Sequence, residues 1–346
     1  MKLSVCIPAY NRASVLSELL ESILSQDHSA FEIVICEDAS PERERISAIV
    51  SDYQTRHPDR IVYRENEVNL GYDANLRRLL ETAGGDFVVF MGNDDLMCPG
   101  ALRHIEQVLA RNPGAVVYLR SYAAFDNTPD NVVQEFRYFD RELYFPPGAA
   151  SIGTVYRRSV VIPGMGFNRA TALSFSTDRF DGSLLYQLYL VAEMLVSHGA
   201  VFSPQRVVLY RNGGTPDFGN SAAERGRFKP RERTPESSLK FVQGMLDIAR
   251  FVEQEQGISI FNLIQRDLAH YAYPLLSVQA DKSRRLFFNY GCKLARMGFG
   301  RYAIYWFYFI AIQVLGVRNT DKIIMAIKLR LGRTPVLGKV YQGQSR

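Results

Sequence analysis

Two hydrophobic periods alternate along the first two hundred residues. Short apolar runs occupy residues 2–9 (KLSVCIPA), 31–36 (FEIVIC), 60–64 (RIVYR), 86–91 (DFVVFM) and 115–119, and each predicts a buried strand. Between the first two, Val15, Leu16, Leu19, Leu20, Ile23 and Leu24 recur three and four apart, the spacing of an amphipathic helix. Further helices are expected over about 42–56, 72–83, 99–111 and 184–198, and a strand near 206–210. Residues 120–183 read as irregular, and 213–233, rich in Gly, Pro and charge, as a mobile loop or linker. Beyond that the pattern is almost wholly helical.

Strands alternating with helices of this length predict an α/β fold, a mostly parallel sheet with helices on both faces. In such folds ligands bind beyond the carboxyl ends of the strands. The polar clusters fall at those ends: Ile7-Pro8-Ala9-Tyr10-Asn11-Arg12 after the first strand, Cys36-Glu37-Asp38-Ala39-Ser40 after the second, and Gly92-Asn93-Asp94-Asp95 after the fourth. Asn69-Leu70-Gly71-Tyr72-Asp73-Ala74-Asn75 lies between them, and Gly84-Gly85-Asp86 opens the fourth strand.

This ordered series resembles the family 2 glycosyltransferases of GT-A fold, over residues 1 to about 212. The resemblance implies a GT-A, Rossmann-like domain over 1–230, followed by a helical, basic region over 231–346. It implies transfer of a sugar from a nucleotide-sugar donor to a saccharide or lipid-linked saccharide acceptor in surface-polysaccharide assembly, with inversion. It also implies that Pro8, Tyr10, Asn11, Asp38, Asn69, Gly71, Asn75, Asp95 and Arg211 line the donor site. Asp38 would accept the ring N–H of the base, and Asp94 would bind Mg²⁺ or Mn²⁺, hard cations suited to carboxylate oxygens. Each acid has a second reading, for Asp38 with Ser40 and for Asp94-Asp95 alike, as a cap on the following helix.

The series departs from the family at several positions. Gly92 stands where the first acid of D-x-D is usual, and Arg77 where Asn is usual; Arg77 would assist the diphosphate or face solvent. The Glu-Asp pair that supplies the base of inverting members is replaced by Tyr186-Gln187, which leaves Asp181, or Asp178, as the carboxylate for the acceptor hydroxyl. Asp181 also reads as a plain cap, and Arg211 as the partner of an internal carboxylate. The position of Asn75 and the Asp181-Gly182-Ser183 segment resemble the abequosyltransferase-like, deoxyhexose-transferring branch. Gly92 and Gln187 together motivate a different class, a non-catalytic nucleotide-sugar-binding or scaffold protein.

Composition narrows the classes. The four cysteines are scattered without a C-x-x-C pair and no histidines show metal-ligand spacing, so neither disulfides nor zinc are indicated. No G-x-G-x-x-G follows the first strand, which excludes a dinucleotide oxidoreductase. The chain starts directly into a strand, so no secretory signal is expected and a cytoplasmic location is. The net charge of +5 hides an asymmetry: residues 281–346 carry 13 Lys+Arg against Asp281 and Asp321, leaving an acidic body with a basic tail. Residues 302–317 (YAIYWFYFIAIQVLGV) are apolar apart from Gln313, six of them aromatic. A helix that long spans about 24 Å, short of a bilayer core. With the basic stretch 322–333 behind it, the tail predicts peripheral attachment to an anionic membrane surface, the cytoplasmic face of an inner membrane, rather than nucleic acid. The other reading is a helix packed on the catalytic domain or on a second subunit.

Overall fold

The computed structural model describes residues 1–214 and 216–330. The first half alternates β1 (Leu3–Ala9), α1 (Ala13–Leu24), β2 (Phe31–Glu37), α2 (Arg43–Arg56), β3 (Ile61–Glu65), α3 (Tyr72–Thr82) and β4 (Phe87–Phe90). β2 and β4 are buried throughout and β1 nearly so, which is why they read as unbroken apolar runs. β5 (Leu96–Met97), α4 (Ala101–Arg111) and β6 (Ala115–Phe125) follow. Residues 120–183, expected to be irregular, instead continue β6 and then form β7 (Val132–Phe136), β8 (Leu143–Phe145), α5 (Ala149–Val155), β9 (Gly166–Asn168) and α6 (Arg169–Ser174). α7 (Tyr186–Ser197) runs into β10 (Gly199–Arg211), a strand that begins well before the expected one. Register shifts between Ser203 and Val208 interrupt its pairing with β6 and hide its first half from a periodicity reading.

Among the described residues the strands form one ten-stranded mixed sheet, ordered β3-β2-β1-β4-β9-β6-β10-β5, with β7 on β6 and β8 on β10. β3, β2, β1 and β4 are parallel; β9 runs antiparallel between β4 and β6. Gly166 of β9 is obligatory there, because a Cβ would lie 2.5 Å from the Phe87 ring. One core lies under α1, α2 and α4; the other joins α3 and α7 to the C-terminal helices.

Those helices are α8 (Pro235–Gln256), α9 (Phe261–His270), α10 (Ala272–Ser277), α11 (Arg284–Arg296) and α12 (Ala303–Arg330), the last broken at Gly316 where φ is +74°. α8 opens on an N-cap: Thr234 Oγ1 accepts the Ser237 N–H, and Pro235 occupies the first helical turn. Val242, Met245 and Ile248 of α8 share a continuous apolar cluster with Leu188 and Leu195 of α7, so the helical region after 231 is packed on the sheet domain. The basic stretch 322–333 is described only to residue 330; the rest of the tail, 331–346, lies outside the described residues.

One buried carboxylate joins the two helices beside the sheet's carboxyl edge. Asp73, in the first turn of α3, accepts the N–H groups of Leu184, Leu185 and Tyr186 at 2.8 Å and so caps α7 from outside it. Burial pushes this carboxyl up to about 7, against the N–H donors that favour its anion. An unfolded Asp titrates near ~3.9, so the folded chain holds the proton through the intervening window. The contribution of Asp73 to stability is therefore full below that window and lost as pH rises through about 7. Thermal unfolding midpoints followed from pH 5 to 8 should fall with a slope that flattens in Asp73→Asn; an unchanged slope would contradict this.

Candidate functional site

The parallel register of β1, β2 and β4 sets three turns side by side. Pro8 pairs with Cys36 and Ala9 with Glu37, while Met91 N–H donates to Cys6 O. Asn11, Arg12 and Ala39 all take positive φ (56°, 66° and 53°), a concentration of left-handed backbone at one edge of the sheet. A cleft of about 370 Å³ opens there. Pro8, Tyr10, Asp38, Asn69, Gly71, Asn75 and Asp94 line it, so most of the expected donor-site residues converge.

Asp38 does not cap α2. Its Oδ1 accepts Asn66 Nδ2 and the Leu70 N–H, both at 2.8 Å, and its Oδ2 accepts the Gly71 N–H at 2.9 Å. Glu37, fully buried, holds the turn that presents it by accepting the Ala39 and Ser40 N–H groups and Arg43 Nε. Asn75 Nδ2 donates to Cys36 O, tying α3 to the end of β2. Burial raises the Asp38 carboxyl despite three donors. With a single donor on it, its Oδ2 keeps acceptor capacity.

At the other end, Asp94 pairs with the Arg12 guanidinium. Asp95, 1% exposed, accepts the Arg211 N–H on Oδ1 at 2.9 Å, while its Oδ2 has no hydrogen-bond partner among the described residues. Neither acid caps α4, whose N-cap is Gly100. Burial raises both carboxyls, and the charge of Asp94 raises Asp95 further.

Other expected residues lie elsewhere. Arg211 and Asp95 are not on the cleft wall: Arg211 Nε donates to Asp94 O at 2.9 Å and Nη2 to Glu18 at 2.7 Å, the internal-carboxylate reading. Arg77 neither faces solvent nor reaches the cleft; it grips Asp181 through two bonds of 2.8 Å and donates to Thr177 O. The structure thus places Asp181 in an ion pair beside α7, and neither it nor Asp178 lines the cleft. Gln187 is buried, donating to Val160 O at 2.7 Å with Tyr72 Oη 3.5 Å from its own oxygen. An amide takes no proton from a hydroxyl in that slot.

In its described residues, segment 213–233 is not a linker but a strap across the cleft. Asn11 Nδ2 donates to Asp217, Phe218 packs edge-on against Tyr72 at 5.6 Å, and Glu224 accepts the Tyr72 and Gly219 N–H groups. Gly71, with φ +89°, must be glycine: a Cβ would meet Ser221 Oγ at 2.5 Å and Glu224 Oε1 at 2.9 Å. Asp217, Phe218, Glu224 and Arg233 therefore join the site although the sequence reading missed them. The available signal was the density of charged and aromatic residues directly after Tyr210-Arg211.

Comparison with known proteins bears on the family and the fold. The family model for Glycosyl transferase family 2 matches residues 4–171. Abequosyltransferase RfbV of Salmonella typhimurium is 33% identical over 109 residues, 32% of this chain and 33% of that protein. The GalNAc(5)-diNAcBac-PP-undecaprenol beta-1,3-glucosyltransferase of Campylobacter jejuni is 35% identical over 107 residues, 31% and 34% of the two chains. The matched segment thus spans about a third of these relatives' length. Among solved structures, S. aureus TarS 1-349 in complex with UDP superposes with a TM-score of 0.54 at 14% identity, covering 96% of this chain and 92% of that one. The mannosyltransferase PcManGT from Pyrobaculum calidifontis, in complex with GDP-Man and Mn²⁺, gives 0.50 at 18%, covering 91% and 86%. At these identities the likeness is one of fold, and it extends through the C-terminal helices.

Proposed function

The N-terminal region of the chain, residues 4–171, belongs to glycosyl transferase family 2, and from that premise we propose that the protein moves a sugar from a nucleoside-diphosphate donor to a saccharide or lipid-linked saccharide acceptor in surface-polysaccharide assembly. The observation that carries the reading is the cleft itself, with a hydrogen-bond acceptor for a base, Asp38, at one end and a paired acid, Asp94, at the other. Tyr10 offers a ring to the nucleoside beside Asp38, and Arg12 is a cation within reach of the diphosphate end.

The charge balance of the wall supports a divalent cation. Arg12 and Arg233 face Asp38, Asp94, Asp217 and Glu224, so a diphosphate entering alone would meet net repulsion. The carboxylates present fit such an ion: Asp95 Oδ2 is buried without a partner, and Arg12 already stands as a cation on Asp94. Among the described residues no group of three or more His, Cys, Asp or Glu gathers for a metal, so the diphosphate would supply further oxygens. When bound, Mg²⁺ or Mn²⁺ neutralises the leaving diphosphate. The side chains of this chain would bind and orient: Asp38 fixes the base, and Asp217, Phe218 and Glu224 of the strap wall the cleft.

An inverting course also needs a base for the acceptor hydroxyl. Asp181 would serve only on leaving Arg77, while Asp217 and Glu224 already line the wall. Gln187 favours the second reading, a nucleotide-sugar-binding protein without turnover. One experiment separates the two. With UDP-, GDP-, CDP- and dTDP-sugars, the whole chain should release nucleotide from one donor in an acceptor extract, and excess EDTA should abolish release. Asp38→Ala should weaken binding of that nucleotide by about 1.5–3 kcal/mol, the scale of a charged hydrogen bond. Binding without turnover under all conditions would establish the non-catalytic reading.

The reading places the acceptor at a membrane. No helix among the described residues is long and apolar enough to cross one. In α12, Tyr305, Phe309 and Ile312 pack inward, whereas Trp306, Phe307, Ile310 and Val314 are exposed, as are Leu286 and Phe288 of α11. Exposed Arg284, Arg285, Lys293, Arg296, Arg301 and Arg318 accompany them. Apolar side chains with flanking cations suit an anionic lipid surface, each cation adding about 1 kcal/mol near it. Flotation with anionic vesicles should weaken but persist as salt rises, and Phe307→Asp with Val314→Asp should release the protein. Retention of the double variant, or no flotation of the parent, would remove the membrane from the account.

A further inference from the structure

Val160, Val161 and Ile162 bring three branched aliphatic side chains to a cleft otherwise walled by polar, aromatic, Gly and Pro residues. The chain then turns at Gly164, where φ is +75°, and enters β9. Gly164 N–H donates to Phe90 O at 2.7 Å, and Phe90 N–H to Met165 O at 2.9 Å. These bonds set the segment against the end of β4, the strand that leads into Asp94. Asp38 comes instead from β2, two strands away in the order β2-β1-β4-β9. The aliphatic wall therefore lies at the Asp94 end of the cleft.

Three backbone carbonyls of this segment are gripped by side chains from distant elements. Arg120 of β6 donates Nε to Pro163 O at 2.5 Å and Nη2 to Val161 O at 2.7 Å. Gln187 of α7 donates Nε2 to Val160 O at 2.7 Å. Arg120 is fully buried, with its guanidinium over the Tyr122 ring at 4.8 Å. Its hydrogen-bond partners are carbonyls rather than a carboxylate, and burying a cation on those terms is costly. Packing alone does not account for an arginine there, whereas fixing two carbonyls does. Gln187 follows the same logic. A carboxylate at 187 would only accept, so it could not make the bond to Val160 O. The amide that leaves this slot without a base is what anchors the wall.

We propose that Val160, Val161 and Ile162 are the face against which the donor's sugar is held, and that Arg120 and Gln187 are positioning residues that fix this face from behind. The inference rests on the glycosyl-transfer reading, which puts the nucleoside at Asp38 and the diphosphate at Asp94 and so brings the sugar to the aliphatic residues. It goes beyond that reading by giving the amide at 187 a holding role in place of proton transfer. The face also discriminates. A sugar presenting C–H groups to it is favoured, because a hydroxyl there would lose water without gaining a partner.

The test compares five nucleotide-sugars with their own nucleoside diphosphates by calorimetry on the whole chain with Mn²⁺. The probes are UDP-glucose, UDP-N-acetylglucosamine, GDP-mannose, CDP-glucose and dTDP-rhamnose, and the ratio of the two affinities reads what the sugar adds. At least one sugar should add affinity. For that sugar, Arg120→Met, Gln187→Met and Val161→Ala should each cut the ratio by about 10-fold, the lower end of what one methylene in a pocket decides. Affinity for the bare nucleoside diphosphate should stay near wild type. Arg120→Lys, which retains a donor, should recover part of what Arg120→Met loses. Gln187→Glu should lower nucleotide release from that sugar rather than raise it. Thermal unfolding shows which variants fold, and Val161→Ala, at a half-buried side chain, decides the matter if Arg120→Met does not. No gain from any sugar, unchanged ratios in Gln187→Met and Val161→Ala, an equal loss for the bare nucleotide, or increased release in Gln187→Glu would overturn the inference while leaving the transfer reading standing. Failure of every nucleoside diphosphate to bind would defeat the transfer reading and this inference with it.

Discussion

The site depends on a buried carboxylate held by backbone. Asp38 sits at the end of β2 and accepts the N–H groups of Leu70 and Gly71 together with the Asn66 amide. A carboxylate taken out of water needs such donors or it neutralises, so the loop from 66 to 71 is committed to one conformation. That conformation has further consequences. Gly71 receives Ser221 and Glu224 of the strap, and Asp73, two residues on, caps α7 through three N–H groups. One turn thus joins the Asp38 end of the cleft, its cover and the helix on its far side.

The opposite end is governed by charge. Four acids and two arginines on the wall form a cleft that is net negative before any ligand arrives. Such a wall is poorly suited to a diphosphate alone and well suited to a diphosphate with a divalent ion. The Arg12–Asp94 pair sets one cation against one of these acids. A second hollow, of about 560 Å³, lies at the amino ends of the strands, lined by Gln26, His28, His57, Arg60 and Arg103, away from every strand-end motif.

Much of the first half was legible because its strands are buried on both faces and read as continuous apolar runs between helices. Their order placed Pro8, Tyr10, Asp38, Gly71 and Asp94 together without knowledge of any contact. The second half was not legible for two physical reasons. β8 and β9 are three residues each and exist through pairing with distant strands, so they carry little local pattern. The partners of Arg77 and Arg211 are likewise far away in sequence, Asp181 and Glu18, and nothing local tells an ion-paired arginine from a phosphate ligand. The strap failed for a related reason: Gly, Pro and charge mark a loop, but only its contacts with Gly71 and Tyr72 show where it lies.

Hydrogen–deuterium exchange of the whole chain in Mn²⁺, with and without UDP, GDP, CDP and dTDP, tests the central claim most directly, because it locates the nucleotide without presuming turnover. One of the four should slow exchange at Leu70 and Gly71 and across the strap together, since the same turn holds both, while α12 remains unchanged. Protection confined to the hollow around His28 and His57, or none with any nucleotide, would contradict the assignment of this cleft to a nucleoside diphosphate.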